Sequence, residues 1–155
     1  MAKSYELIVG LKIPDTTALT ALDAILRMGF SNVKNLIRET YYKFHLTDED
    51  ENFSNKISKV DILVNANKNN FNFNIEKKQD EFKEVIVAVK DIEDTNQELL
   101  STLNNNLNFP NIKKIEKKIL WTIVSDSSET KTAKELAEKL FTNKNYQEFE
   151  ILDKI

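Results

Sequence analysis

A stretch of about 78 residues occurs twice in this chain, with four blocks in the same order, so the fold must be one that a small unit can build with its own copy. Leu7-Ile8-Val9-Gly10-Leu11-Lys12 returns as Val85-Ile86-Val87-Ala88-Val89-Lys90, and Asp15-Thr16 returns as Asp94-Thr95 after a one-residue insertion. The segment from Met28 to Leu36 returns from Leu107 to Ile115. Asn67-Lys68-Asn69 with Phe73 and Ile75 returns as Asn143-Lys144-Asn145 with Phe149 and Ile151.

Within each copy the hydrophobic period changes several times. Tyr5 to Lys12 and Val85 to Lys90 are apolar, partly β-branched runs of the kind found in core strands. Asp15-Thr16 and Asp94-Thr95 offer N-cap oxygens, and Thr95 to Glu98 has capping-box spacing. The helices that follow carry Ala18, Ala21, Leu22, Ile25 and Met28 on one face in the first copy, and Leu99, Leu100, Leu103 and Leu107 in the second. Asn104-Asn105-Asn106 weakens the latter helix. Gly29, and Asn108 with Pro110, end the pair.

Val33 to Leu46 and Ile112 to Val124 read as long β segments or hairpins whose polar middles turn. Second helices are predicted over Ser54 to Asn65 and Thr132 to Thr142, the latter opened by a capping box from Thr132 to Glu135. Phe71, Phe73 and Ile75, and later Phe149 and Ile151, alternate as half-buried strands. Each copy therefore reads β-α-β-β-α-β. The class is α+β, with two tandem ferredoxin-like units, 1–77 and 78–155, paired as an intramolecular pseudo-dimer. The charged run from Glu76 to Glu81 marks the boundary.

Composition removes much chemistry. With Cys 0 there is neither a disulfide nor a thiolate ligand, and His 1 leaves only His45. Gly 2 excludes both common phosphate-cradling loops. A net charge of -3 argues against a nucleic-acid partner. No apolar run reaches membrane-spanning length, and Met1-Ala2-Lys3-Ser4 leads into a strand, so the expectation is a cytoplasmic chain without membrane contact.

Several local patterns resemble functional sites and are better read as structure. Asp48-Glu49-Asp50-Glu51-Asn52 resembles the start of a calcium loop, but Phe53 stands where the turn glycine belongs and Lys59 where the bidentate glutamate belongs. His45 lies on a strand beside no nucleophile, and Ser125-Asp126-Ser127-Ser128 lacks a nucleophile elbow. Tyr41, Tyr42 and Phe44 lack the basic and glycine context of an RNA-binding sheet and read as buried or interfacial aromatics, with Trp121 as a core or interface anchor. No catalytic or metal-ligating residue is assigned.

The strand, the capped helix, the Gly-Phe exit at Gly29-Phe30 and the closing blocks together resemble the PurS-type small subunit of phosphoribosylformylglycinamidine (FGAM) synthase. Leu140-Phe141-Thr142-Asn143 with Glu148-Phe149-Glu150-Ile151 carries most of the likeness, and Ala66-Asn67 with Phe73-Asn74-Ile75 repeats it. The family's usual member is one unit, so this chain resembles a tandem version. The family's middle hairpin carries Val-Arg-x-Gly-Lys. Here Ile37-Arg38-Glu39-Thr40-Tyr41 keeps the Arg without the Gly-Lys, and Glu116-Lys117-Lys118 keeps neither Arg nor Gly.

The resemblance implies a non-catalytic subunit in purine biosynthesis, bridging a glutaminase subunit and an ATP-dependent synthetase subunit, a C–N ligase, for ammonia transfer. It implies no cofactor on this chain, with ATP and Mg on the synthetase, and possible self-association of the pseudo-dimer. Candidate partner-binding residues are Arg38, Thr40, Tyr41, Tyr42, Lys117 and Trp121. A tandem ACT-like module, binding a small ligand between paired units, is the alternative. Its usual Pro-Gly loop is represented only by Pro14 in Lys12-Ile13-Pro14-Asp15 and by neither residue in Asp91-Ile92-Glu93-Asp94.

Overall fold

Val, Ile and Leu fill alternate and adjacent positions of both predicted core strands, and each of those segments pairs with a strand on either side. The computed structural model describes residues 3–75, 82–93, 96–126 and 130–152. It is α+β, with elements in the order β1 (Lys3–Leu11), α1 (Thr16–Arg27), β2 (Val33–Leu46), α2 (Phe53–Ile57), β3 (Asn69–Asn72), β4 (Lys83–Asp91), α3 (Gln97–Asn105), β5 (Ile112–Ser125), α4 (Thr130–Leu136) and β6 (Gln147–Leu152). A π-helical turn, Ala137–Phe141, continues α4. The sheet order is β3-β1-β2-β5-β4-β6, with antiparallel pairing of β1 to β2 and β3 and of β4 to β5 and β6. This arrangement is compatible with a ferredoxin-like fold.

Of the two readings of Val33 to Leu46 and Ile112 to Val124, the long β segment holds and the hairpin does not. Val33–Leu46 and Ile112–Ser125 are each one unbroken strand of 14 residues. A tight hairpin needs residues at ease with positive φ, and neither Arg38-Glu39-Thr40 nor Glu116-Lys117-Lys118 supplies Gly or Asn. The strands therefore run on, and their polar middles find partners to the side: Arg38 with Asp15, and Glu116 with His45.

Two compact units result, each drawing on residues before and after Lys77. Unit 1 gathers Met1–Lys12, Thr40–Asn74 and Glu93–Lys118; unit 2 gathers Ile13–Glu39, Ile75–Ile92 and Ile119–Ile155. Helix α1 follows β1 in sequence, yet its Ile25, Ala21 and Leu22 pack in unit 2 with Val85, Val87 and Val89 of β4 and with Leu136 and Phe141. Helix α3 follows β4, yet Leu99, Leu100 and Leu103 pack in unit 1 with Leu7, Val9, Phe44 and Phe53. The first helix after each core strand is thus exchanged, as in a domain swap accomplished inside one chain.

Local chemistry explains where the helices start and stop. The Asp15 side chain accepts from the N–H groups of Thr17 and Ala18, capping α1 as expected, and Gly29 ends it at φ +97°, a left-handed conformation that favours glycine. Met28, placed by spacing on the buried face, is 43% exposed beyond that end, and Leu107 is likewise exposed. Asn104 does more than weaken α3: its amide donates to Phe109 O at 2.7 Å and Ile112 O at 3.0 Å, fixing the exit. The Asp94-Thr95 cap and the charged run Glu76 to Glu81 lie outside the described residues, as do Ser127 and Ser128.

The second helices are shorter or displaced. Ile57 and Val64 are buried and Val60 packs beside them, as the spacing requires, but α2 ends at Ile57 and hydrogen-bonded turns carry the chain onward. Burial of apolar positions needs no continuous helix here. Helix α4 begins at Thr130, so Thr132 lies inside it and not at the N-cap position where a capping box would place it. Strand β3 ends at Asn72; Phe71 is 41% exposed while Phe73 packs on core 1, and Ile75 lies past the strand. Phe149 and Ile151 do alternate inward on β6.

The structure also revises the register of the repeated blocks. β1 opens at Lys3 and β4 at Lys83, 80 residues apart, so Leu7 corresponds to Val87 rather than to Val85. A slip of two residues keeps every side chain on its face, which is why similarity of apolar runs could not detect it. The loop twin of Asn143 is Asn65, not Asn67. Asn65 Oδ1 accepts from Asn67 N–H at 2.9 Å and Asn143 Oδ1 from Asn145 N–H at 3.1 Å. Their own N–H groups donate to Asn69 Oδ1 and Gln147 Oε1, both at 2.9 Å, and their carbonyls accept from the N–H of those same residues.

Candidate functional site

The long strands place the six candidate residues in two separate groups. In unit 2, Arg38 on β2 donates through Nε to Asp15 Oδ2 at 3.0 Å and through Nη2 to Asp15 Oδ1 at 3.3 Å, while its guanidinium lies 5.9 Å from the ring centre of Trp121 on β5. One carboxylate thus caps α1 and holds the arginine over the indole. Trp121 stacks on Phe141 with ring centres 4.5 Å apart and planes 8° from parallel. Trp121 is only 9% exposed.

In unit 1 the same cross-strand relationship recurs with different residues. Lys117 on β5 stands 5.9 Å from the ring centre of Tyr42 on β2. Arg38 and Lys117 are 79 residues apart, as are Tyr42 and Trp121, so each cation meets the aromatic that corresponds to the other's partner. Asp15 caps α1 in unit 2, whereas α3 in unit 1 is preceded by Asn96, at φ 57° and without a side-chain cap bond. Asn96 instead donates to Ile115 O at 3.1 Å. A carboxylate is therefore replaced by an amide at this helix start, and the two sites are chemically unequal.

The opposite face of β2 carries Tyr41, Lys43 and His45, since side chains alternate along a strand. The Tyr41 hydroxyl donates to Glu6 Oε2 at 2.5 Å, and His45 Nε2 lies 2.6 Å from Glu116 Oε2. Burial, then the hydrogen bond to Glu6, then the charges of Glu6 and Glu116 push the Tyr41 hydroxyl far above the ordinary range. Burial likewise raises Tyr42. The Glu116 carboxyl is held below its usual value chiefly by the hydrogen bond from His45, against the opposing effect of burial, and the charges of His45, Lys114 and Lys118 assist. Thr40 pairs with Val9 in the β1/β2 ladder and is half-buried.

Of the residues that complete these groups, sequence marks Asp15 only as a cap and Phe141 only as part of a closing block, and it gives Glu6 and Glu116 no partner. No local pattern ties any of them to its partner, because each contact spans at least 20 positions. Two carboxylates of the acidic loop have partners: Asp50 Oδ1 accepts from Asn52 N–H, Asp50 Oδ2 pairs with Lys56 at 3.3 Å, and Glu49 pairs with Lys3. Among the described residues no group of three or more His, Asp or Glu side chains could hold a metal ion. No helix among them is long and apolar enough to cross a membrane.

A groove of about 450 Å³ opens in unit 2, lined by Thr16, Thr17, Thr20, Ala21 and Ala24 of α1 and by Trp121, Leu140 and Phe141. A second hollow in unit 1 is polar, with Glu6 and its cross-strand neighbour Lys43 in its wall. Fold and sites define an α+β protein whose candidate residues form cation–aromatic and carboxylate pairs on its longest strands. No protein-family model matches the chain, and no curated protein matches it.

Proposed function

We propose that this chain is a non-catalytic small subunit of an FGAM synthase complex in purine biosynthesis, built as a tandem pair of PurS-like units in one polypeptide. The observation that carries this reading is the closing segment from Leu140 to Ile151, an apolar turn into Asn and then an aromatic–x–aliphatic strand, with Asn65 and the strand Asn69–Asn72 standing in the same relation in the first half. The loops around Asn65 and Asn143 have matching hydrogen bonds, which supports treating them as two forms of one segment.

In this role the chain bridges a glutaminase and an ATP-dependent synthetase so that ammonia passes between their sites. The two units are unequal where a partner would meet them. Arg38 is presented over Trp121 with its charge balanced by Asp15, while Lys117 over Tyr42 has Asn96 at the matching helix start. Covalent linkage of two units raises their mutual concentration to roughly the mM range without new contacts.

Reconstitution tests the reading. Mixed with the glutaminase and synthetase subunits of the same organism, the chain should co-elute with them and support glutamine-dependent amidation of formylglycinamide ribonucleotide. Absence of both would remove the assignment and leave only the fold.

A further inference from the structure

Strand β3 ends the sheet order and pairs on one side only, with β1. The register decides which of its backbone groups that ladder uses. Lys12 N–H donates to Lys68 O at 2.9 Å, and Gly10 with Asn70 and Ile8 with Asn72 follow at alternate positions, so these are the bonded pairs of the antiparallel ladder. The N–H and C=O of Phe71, at the intervening position, therefore turn to the open edge. An open edge invites another strand unless charge, proline or a bulge blocks it. At the other end of the sheet order, β6 has Glu148-Phe149-Glu150 where β3 has Asn70-Phe71-Asn72. The edge at β3 thus lacks the charges that the edge at β6 carries. Asn70, Phe71 and Asn72 are all exposed, Phe71 by 41%, and its ring centre lies 5.4 Å from that of Phe73.

The geometry points to this edge as a docking surface for a second molecule of the same chain, with β3 antiparallel to β3 about a two-fold axis at Phe71. Symmetry and hydrogen bonding select the register. Opposed residues share a face and successive residues do not, so the axis must set one residue against its own counterpart. Centred on Phe71, the two molecules exchange both backbone bonds of that residue, and the Asn69 carbonyl comes opposite Phe73 of the second molecule. Centred on Asn70, the middle pair would have its backbone groups already spent on Gly10. The Phe71 register also sets the two exposed phenyl rings on one face, where each covers the other. Asn70 then stands opposite Asn72 of the second molecule, amide facing amide. The same operation on β6 would set Glu148 against Glu150, and like charges directly opposite are destabilising. Because β3 has 4 residues, the interface is much smaller than that of a stable complex, and the dimer is a weak one.

The edge stands apart from the bridging role above: co-elution with a synthetase can fail while the dimer forms, and the reverse. Sedimentation velocity of the full chain, from low micromolar to near-millimolar concentration, should show monomer and dimer in equilibrium and no larger species. Phe71→Ser should abolish the dimer. Asn70→Glu with Asn72→Glu, which sets like charges opposite each other at both flanking pairs, should abolish it too. Asn70→Glu with Asn72→Lys, which sets opposite charges there, should tighten it several-fold. All three variants change exposed positions, and far-ultraviolet circular dichroism matching the parent chain separates lost docking from lost folding. A chain that stays monomeric at the highest concentration, species larger than a dimer, a dimer retained by Phe71→Ser, or Asn70→Glu with Asn72→Lys pairing no tighter than with Asn72→Glu would overturn the proposal.

Discussion

Arg38 grips the carboxylate of Asp15 with two nitrogens, at 3.0 and 3.3 Å, so the residue that caps α1 also fixes the cation over Trp121. Arg38→Ala should therefore lower stability as well as alter any interface. The Arg38 side chain is 33% exposed, and solvent screening holds the pair to about 1 kcal/mol. Asp15→Ala, which removes the cap too, should cost about 1–2 kcal/mol. Urea midpoints of the two single variants and the double variant form the test. Because the residues share one contact, the double variant should lose less than the sum; full additivity would show that the pair is not coupled.

Glu116 and His45 predict the acid limb of stability. The folded-state pKa of Glu116 is depressed, so its contribution is complete above the unfolded pKa and disappears as pH falls through the folded value. Denaturation midpoints should thus fall below about pH 4.5, and Glu116→Gln should flatten part of that decline. A variant with the wild-type slope would show that other carboxylates control it. At the alkaline end the sign reverses: Tyr41 and Tyr42 ionise late, so the stability tied to their neutral forms is present below the ordinary tyrosine value and lost as pH rises through the raised ones. Tyrosinate absorbance during an alkaline titration should show Tyr41→Phe removing a late-ionising group.

Asn104 joins the end of α3 to the start of β5 through two carbonyls. Asn104→Ala should destabilise the protein by about 1–3 kcal/mol, since two partly buried acceptors lose their donor. Exposed Asn105→Ala, on the next position, should change stability by no more than about 0.5 kcal/mol. Equal effects would reduce Asn104 to an ordinary helix residue.

Local features of this fold were legible and non-local ones were not. Asp15 as a cap, Gly29 as a stop and the core strands depend on neighbouring residues, so composition and period reveal them. Burial of Ile57, Val60 and Val64 was also legible, although apolar spacing alone could not show that α2 stops at Ile57. The polar centres of β2 and β5 suggested turns because their partners, Asp15 for Arg38 and His45 for Glu116, are far away in sequence. Nor could periodicity tell that α1 packs on β4 instead of β1: an amphipathic face specifies that it is buried, not which sheet covers it.

The exchange of helices predicts how fragments behave. Residues 1–77 lack the Glu93–Lys118 part of unit 1, and residues 78–155 lack the Ile13–Glu39 part of unit 2. Each fragment alone should be largely unfolded, and mixing them should restore secondary structure with a blue shift of Trp121 emission as α1 and its strand return to unit 2. Independent folding of residues 78–155, with native-like Trp121 emission, would contradict that dependence.

Because α1 and α3 change places, the order in which the chain is made differs from the order in which it can fold. Unit 1 lacks a strand until Lys118 has emerged, although most of its core, including Leu7, Phe44 and Phe53, is synthesised before residue 60. Helix α1 and the first part of β2 are made early too, and must wait for β4 and Phe141. The nascent first half therefore exposes two unfinished apolar surfaces at once, and synthesis of the second half completes both.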